Sequence, residues 1–386
     1  MRDIDWSAVR GVNYLPSYGR DQMEAWLACF EPEILAREIG FARRLGFDTI
    51  RVWLSFDAYL AGAERFMSNL QLFADTCHQR GLRLIPIAFG ACGTERRDEG
   101  EKRLSLSEVR EQMKAEDPEV PALKPSQAQL LGALLSSAFP GDVEVPYSGD
   151  PGTIFWHGWR QSPGNSRLGE AWRPKIRAYL EALVKALGRH PAILAWDVMN
   201  EPLLTAIASA LGEGQQVDVL PFLKWASGTL AELDPSAPLT VGCIQPEEME
   251  RYDELTEGAL GLLSCHSYSR GEDLDRYFDK AQSIADRRGK PWLLTECGNF
   301  EFPGNPAIET DEAEDKIYAD ILPRLTKASI GWVCFHLIMG YGPFSGMALL
   351  WPNGTRRPAA HRLARWLVEH DGRQAELRTE APSRKG

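Results

Sequence analysis

Two glutamates stand at positions from which their side chains could act on one substrate. Glu201 and Glu296 each follow a short apolar run, at 192–199 and 292–295 respectively. A pair of carboxyl groups can divide acid–base work, because one can be held protonated while the other stays ionised. Arg51, inside an earlier apolar run, could keep one of them ionised, since an opposite charge lowers the pKa of a carboxyl. The three residues therefore suggest a two-carboxylate reaction.

Polar and aromatic residues also end most of the other apolar runs. They are Asn13, Tyr14, Trp53, Asn200, His266, Tyr268, Trp332, Phe335 and His336. Cleavage of a glycosidic bond needs one carboxylic acid to protonate the leaving oxygen and one carboxylate to attack the anomeric carbon or activate a water. Aromatic rings can stack on the apolar faces of a sugar. Any one of these residues alone could be structural, but together they predict a carbohydrate-cleaving site.

The elements that must position these residues form a repeat of apolar runs and helical patterns. The runs are 9–14, 47–54, 82–89, 192–199, 239–243, 261–265, 292–295 and 330–337. Strands that read as continuous apolar runs, each followed by a helix, indicate a parallel sheet buried on both faces. The GxGxxG and GxxxxGK[ST] motifs of open nucleotide-binding sheets are missing from the sequence. Eight such units predict an α/β fold, a closed (β/α)8 TIM barrel with its active site where the strands end.

A long insertion, residues 91–170, separates the third and fourth units. Its first part is highly charged, whereas its later part is rich in tryptophan and includes Trp159 in the segment HGWRQSPG. Loops of this length are functional lids or disordered segments, and the tryptophans favour a lid. We expect one catalytic barrel over residues 1–370, with Trp159 among the substrate-binding residues, and a polar tail over residues 371–386.

The net charge of −11 argues against nucleic acid and anionic membranes as partners, because such a surface repels phosphate groups. Neutral and cationic substrates stay open. The sequence contains no run of about 18 uncharged apolar residues, so no membrane span is expected. The start MRDIDWSAVRGVNY lacks the apolar stretch of a secretory signal, so we expect a cytoplasmic protein. The oligomeric state is not readable from the sequence.

Cysteine and histidine spacing gives no indication of a metal or cofactor site. The seven cysteines are scattered without a CxxC pair, which favours reduced thiols over a disulfide framework. Cys265 and His266 are adjacent, but no second cluster with zinc-like spacing accompanies them. We therefore expect neither a metal nor a cofactor.

Four segments resemble motifs of glycoside hydrolase clan A, and of family 5 within it. They are FDTIRVW, WDVMNEP, HSYS and LLTECG, in the order in which that clan carries them. The resemblance covers residues 8 to 369. It implies a retaining β-glycosidase in which Glu201 is the general acid and then the general base, and Glu296 is the nucleophile.

The resemblance also implies supporting roles. Asn200 would hydrogen-bond the sugar 2-hydroxyl, Arg51 and Tyr268 would orient Glu296, and His266 would line the subsite at the scissile bond. From their places in or at the ends of the apolar runs, and not from the resemblance, Tyr14, Trp53, Trp332, Phe335 and His336 are also expected to bind the substrate.

Two departures from the clan's pattern leave the sugar and linkage open. Phe335 stands where the clan usually has a tryptophan platform, with Trp332 three residues earlier, and His336 follows it. Strand three ends in FGACG in place of the His-containing segment of common cellulases. A transglycosylase or a sugar-binding barrel without turnover therefore stays an alternative to hydrolysis, as does endo action against exo action.

Overall fold

Eight parallel strands close into a barrel in sequence order, with β8 paired to β1. The computed structural model describes residues 4–19, 21–92, 160–203, 219–299, 311–338 and 347–375. The strands are β1 (Arg10–Tyr14), β2 (Thr49–Trp53), β3 (Arg83–Gly90), β4 (Trp196–Asn200), β5 (Leu239–Cys243), β6 (Leu263–His266), β7 (Trp292–Glu296) and β8 (Gly331–Cys334). The predicted (β/α)8 barrel is thereby confirmed.

In the part of the chain that the structure describes, one long helix follows each strand and covers the outside of the barrel. The helices are α1 (Pro32–Leu45), α2 (Phe56–Gln79), α3 (Arg173–Leu187), α4 (Leu220–Leu233), α5 (Pro246–Leu255), α6 (Gly271–Arg288), α7 (Asp311–Ala328) and α8 (Pro358–Asp371). Within the described ranges, no helix combines the length and the apolar character that crossing a bilayer requires.

The start of α2 is set by a side-chain cap. The hydroxyl of Ser55 accepts a hydrogen bond from the backbone N–H of Ala58, and this N-cap lets the helix begin at Phe56. Gly62 then interrupts the helical backbone at φ −172° and ψ 69°.

Two apolar clusters hold the barrel. The larger one fills the layer between the strands and the helices. A smaller one, which includes Trp6, Ile85, Leu293 and Val333, closes the end at which the strands begin. The opposite end, where the strands finish, carries polar side chains beside a third, smaller apolar cluster.

Parts of the predicted insertion and tail lie outside the described residues, namely 93–159 and 376–386. The described end of the insertion returns to the barrel, where Ser162 pairs with Gly90 at the end of β3. In the predicted tail, Asp371 is the last residue of α8, and Arg373 forms an ion pair with Asp48 at 2.7 Å. The described part of the tail therefore packs on the barrel.

Candidate active site

Arg51 lies at the centre of a buried polar network where the strands end. Its Nη1 donates to Oε1 of Glu296 at 2.7 Å and to Oδ1 of Asn13 at 3.0 Å. Its Nε and Nη2 donate to Oδ2 of Asp197 at 3.0 and 2.8 Å, and Nη2 also donates to Oδ1 of Asn200 at 2.5 Å. Burial opposes the charge of Arg51, but the Asp197 and Glu296 carboxylates outweigh it and raise its pKa. The guanidinium therefore stays charged.

An irregularity in β4 lets two of its residues face Arg51. Successive side chains of a regular strand alternate between faces, so residues three apart point opposite ways. The pairing of β4 with β5 shifts between Asp197 and Asn200, and both side chains reach the guanidinium. Val198 and Met199 pack instead in the layer beneath the helices. The bulge thus supplies two acceptors where a regular strand would supply one.

Both carboxylate oxygens of Glu296 are held by donors. Arg51 binds Oε1, and the hydroxyl of Tyr268 donates to Oε2 at 2.6 Å. The residue is only 5% exposed. Donation from a cation and a hydroxyl fixes the orientation of a carboxyl. Glu296 is therefore an oriented carboxylate.

Glu201 has a different environment. Its backbone lies in the left-handed region at φ 50°, and its N–H donates to the carbonyl of Gly242 at 2.8 Å. A non-glycine residue in this region is strained, which is most often tolerated at functional sites. Its side chain meets Nδ1 of His266 at 2.7 Å through Oε1 and Sγ of Cys92 at 3.0 Å through Oε2. Burial raises the pKa of Glu201, so its protonated form is favoured.

The two carboxylates lie close together, with His266 between them. One oxygen from each and Nδ1 of His266 all lie within 4.8 Å of one another. Burial lowers the pKa of His266 to about 4, so the imidazole is neutral at neutral pH. This spacing could also hold a metal ion, a possibility that the sequence pattern did not indicate. The charged Arg51 on Glu296 opposes a second cation there.

An apolar wall borders the polar network. Trp53, Phe335 and Met347 belong to one buried cluster, and the half-buried Tyr268 packs against it. The Phe335 ring lies 6.1 Å from that of Trp53 and 6.4 Å from that of Tyr268, centroid to centroid. His336 is 2% exposed, with its ring 4.9 Å from that of Phe335. The structure therefore brings Trp53, Phe335 and His336 together at the site, as expected from their places at strand ends.

The structure does not bring Tyr14 and Trp332 to this network. The hydroxyl of Tyr14 donates to Glu38 at 2.8 Å, behind the strand. The ring of Trp332 packs edge-on against Phe47 at 6.4 Å in the helix-facing layer. Both side chains leave their strands on the outer face, because strand residues alternate between barrel and helices. Trp159 lies outside the described residues.

Sequence reasoning did not single out three further members of the site. Asp197 sits inside the WDVMNEP segment, but its role depends on the bulge. Cys92 follows the unusual FGACG ending of β3. At Gly242, an added Cβ would lie 2.7 Å from Nη2 of Arg51 and 2.8 Å from Nε2 of His266. Only glycine leaves room for these two side chains.

No protein-family model matches this sequence, and no curated protein matches it. Solved structures of glycoside hydrolase family 5 do match, the family whose motifs the sequence resembles. The exo-β-1,4-mannosidase Op5Man5 from Opitutaceae bacterium strain TAV5 has a TM-score of 0.56 and 16% identity over 95% of this chain, which spans 60% of that chain. GH5_18 from Streptomyces cattleya, in complex with GlcNAc, has a TM-score of 0.57 and 15% identity over 96% of this chain and 80% of that one. A family 5 mannosidase from Rhizomucor miehei has a TM-score of 0.54 and 14% identity over 94% of both chains. At such identities, the likeness establishes the fold.

Proposed function

We propose that this protein is a retaining β-glycosidase that uses Glu296 as nucleophile and Glu201 as acid and base. The proposal rests on two carboxyl groups that bring one oxygen each to within 4.8 Å of the other, one group held by donors and one desolvated. Retaining glycosidases place their carboxyl groups about 5–5.5 Å apart, whereas inverting ones need about 6.5–9.5 Å to admit a water. The spacing therefore supports double displacement.

In the first step, Glu296 would attack the anomeric carbon while Glu201 gives its proton to the leaving oxygen. The hydrogen bonds from Arg51 and Tyr268 hold the Glu296 carboxyl in one orientation for that attack. Protonation requires a carboxylic acid near neutral pH, and burial raises the pKa of Glu201 accordingly. The two environments thus push the two carboxyls toward different roles.

In the second step, Glu201 would act as a base. Once the ester to Glu296 forms, that carboxyl is neutral, and the negative charge that favours protonation of Glu201 disappears. Glu201 can then accept a proton from a water that attacks the anomeric carbon and releases the sugar. Glu201 therefore becomes ionised when Glu296 is esterified, and Arg51 stays hydrogen-bonded beside Glu296 whenever that carboxyl is free.

The remaining residues would hold the sugar. Asn200 uses Nδ2 toward Cys92, and because this nitrogen carries two hydrogens, it can also donate to the 2-hydroxyl. Trp53 and Phe335 present the apolar wall on which a sugar face can stack. Several structural neighbours are named as mannosidases, so β-mannosides head the substrates to test.

The test is a screen of the purified protein on aryl β-glycosides, with β-mannosides, β-glucosides and β-galactosides side by side. On any substrate found, Glu296→Ala and Glu201→Ala should each lower kcat/KM by about 10⁴-fold or more. Azide should rescue Glu296→Ala with an inverted glycosyl azide as product. Glu181→Ala, an exposed carboxylate on α3, is the control and should keep full activity. Activity near that of the wild type in either active-site variant would refute the assignment.

The alternative is that the glycosyl group on Glu296 is transferred to a second sugar and not to water. Phe335, in place of a tryptophan platform, is the feature that motivates this alternative. Product analysis with and without acceptor sugars separates the two reactions. Hydrolysis predicts free sugar as the main product in both cases. A chelator should leave the rate unchanged, and loss of activity on chelation would point instead to a metal at Glu201, His266 and Glu296.

A further inference from the structure

We propose that Cys92 is a positioning residue for the acid/base, donating its thiol hydrogen to Oε2 of Glu201 at the end of a relay that begins at Arg51. This inference rests on the proposed function, in which Glu201 is the acid/base. Cys92 lies two residues beyond the end of β3, beside the bulged end of β4. Its Sγ is 3.0 Å from Oε2 of Glu201 and 3.2 Å from Nδ2 of Asn200.

The direction of each hydrogen bond follows from the chemistry of its neighbour. A guanidinium has only donors, so the Asn200 atom 2.5 Å from Nη2 of Arg51 must be the carbonyl Oδ1. The amide nitrogen then faces Cys92 and donates to its sulfur. With its sulfur accepting from Asn200, the thiol directs its own hydrogen to Glu201. Arg51 thus fixes Asn200, Asn200 fixes Cys92, and Cys92 fixes one oxygen of the acid/base.

The thiol is suited to this task because it stays protonated. Burial raises its pKa well above the usual range, and the Glu201 carboxylate adds to the effect. A thiolate would repel Glu201, whereas a thiol offers a donor. When Glu201 is protonated, the thiol on Oε2 leaves Oε1 to carry the proton, 2.7 Å from Nδ1 of His266. The relay therefore assigns the two oxygens of Glu201 to different partners.

Loss of the thiol should change the titration of Glu201 in a defined direction. A donor to a carboxylate stabilises the ionised form, and the Cys92 hydrogen bond opposes the rise in the pKa of Glu201 that burial causes. Without it, the pKa of Glu201 should rise. Among the described residues, the other charged or titratable groups around Glu201 are Arg51, Asp197, Cys243, Glu248, His266, Tyr268 and Glu296. None of them is altered by a substitution at Cys92.

The experiment measures the titration of Glu201 directly, by ¹³C NMR of protein labelled at the glutamate carboxyl carbons. The Glu201 signal is assigned by its loss in Glu201→Gln. Cys92→Ala should titrate at higher pH than the wild type, and Cys92→Ser, which keeps a donor, should stay close to the wild type. Cys77→Ala removes a buried thiol in α2, away from the site, and should leave the titration unchanged.

On an active substrate, the alkaline limb of kcat/KM should move to higher pH in Cys92→Ala and stay in place in Cys77→Ala. Unchanged titration of Glu201 in a folded Cys92→Ala would overturn the relay even if the enzyme is active. Absence of activity on every glycoside would instead count against the proposed function, because the NMR titration needs no turnover. A shift to lower pH would also contradict the inference.

Discussion

Nη1 of Arg51 donates a hydrogen bond of 2.7 Å to Oε1 of Glu296, and this pair joins β2 to β7 across the inside of the barrel. The arginine side chain is fully buried and that of Glu296 is 6% exposed. A buried pair of this kind cannot lose one partner without leaving the other charge uncompensated. Positioning of the proposed nucleophile and stability of the barrel are therefore linked.

Replacement of Arg51 by methionine should impair both stability and activity. Asp197 and Glu296 would remain as buried carboxylates without a counter-ion, at a cost of about 3–5 kcal/mol in the free energy of unfolding. The proposed nucleophile would also lose its orientation, and kcat/KM should fall by about 10²-fold or more. Urea unfolding at neutral pH and steady-state kinetics measure the two effects.

The matched control is Arg177→Met, which removes the exposed ion pair with Glu232 on the outer helices. It should leave both the free energy of unfolding and the activity close to those of the wild type, because solvent screens an exposed pair. If Arg51→Met were as stable and as active as this control, the network would not be holding Glu296.

Replacement of Tyr268 by phenylalanine should slow the reaction without unfolding the protein. The variant loses the hydrogen bond of 2.6 Å to Oε2 of Glu296. A hydrogen bond to a charged group contributes about 1.5–3 kcal/mol, which corresponds to roughly 10- to 100-fold in kcat/KM. Tyr179→Phe removes a hydroxyl that donates to the carbonyl of Ala88 at 3.1 Å, and should keep full activity. Equal rates in the two variants would show that Tyr268 does not support Glu296.

Replacement of Gly242 by alanine should disturb the site through a single methyl group. The new Cβ would lie 2.7 Å from Nη2 of Arg51 and 2.8 Å from Nε2 of His266. Overpacking of this kind costs about 1–3 kcal/mol in the free energy of unfolding, and displacement of the two side chains should also lower kcat/KM. Thermal unfolding and kinetics of the same preparation measure both.

Gly228→Ala provides the control for that substitution. Gly228 lies in α4, and nothing stands within 4 Å of an added Cβ. Because alanine favours a helix over glycine, this variant should gain about 0.5–1 kcal/mol and keep its activity. If Gly242→Ala behaved in the same way, the close approach of Arg51 and His266 to Gly242 would not matter to the site.

Glu248, at the start of α5, should make stability depend on pH. Burial, with a smaller contribution from Glu201, raises its pKa from 4.5 to about 7. Since the folded state binds this proton more tightly than the unfolded state, the stabilisation is complete below pH 4.5 and is lost as pH rises toward about 7. Between pH 4.5 and about 7, the free energy of unfolding of the wild type should therefore fall relative to that of Glu248→Gln. Above about pH 7, the two free energies should change with pH in parallel.

Urea unfolding at pH 4.5, 6 and 8 tests this dependence. Glu170→Gln removes a carboxylate that is 84% exposed, and should change the free energy of unfolding by about 0.5 kcal/mol or less. A constant difference between wild type and Glu248→Gln at all three pH values would contradict the prediction.

The sequence by itself determined the fold and the places of the two carboxylates. Eight continuous apolar runs with intervening helical patterns specify a parallel barrel, because such strands need cover on both faces. The same periodicity puts Glu201 just after β4 and Glu296 at the end of β7. Since the strands of a barrel all finish at one end, their meeting there followed from the pattern alone.

Only the tertiary structure decided which neighbouring side chains join them. Strand alternation sends Tyr14 and Trp332 to the helix layer, and an irregular register in β4 turns Asn200 and Asp197 to the same arginine. Cys92 reaches Glu201 because the end of β3 lies beside the end of β4. Apolar periodicity reports which face of a strand is buried. In a barrel, both faces are buried, so the pattern does not distinguish the inside from the outside.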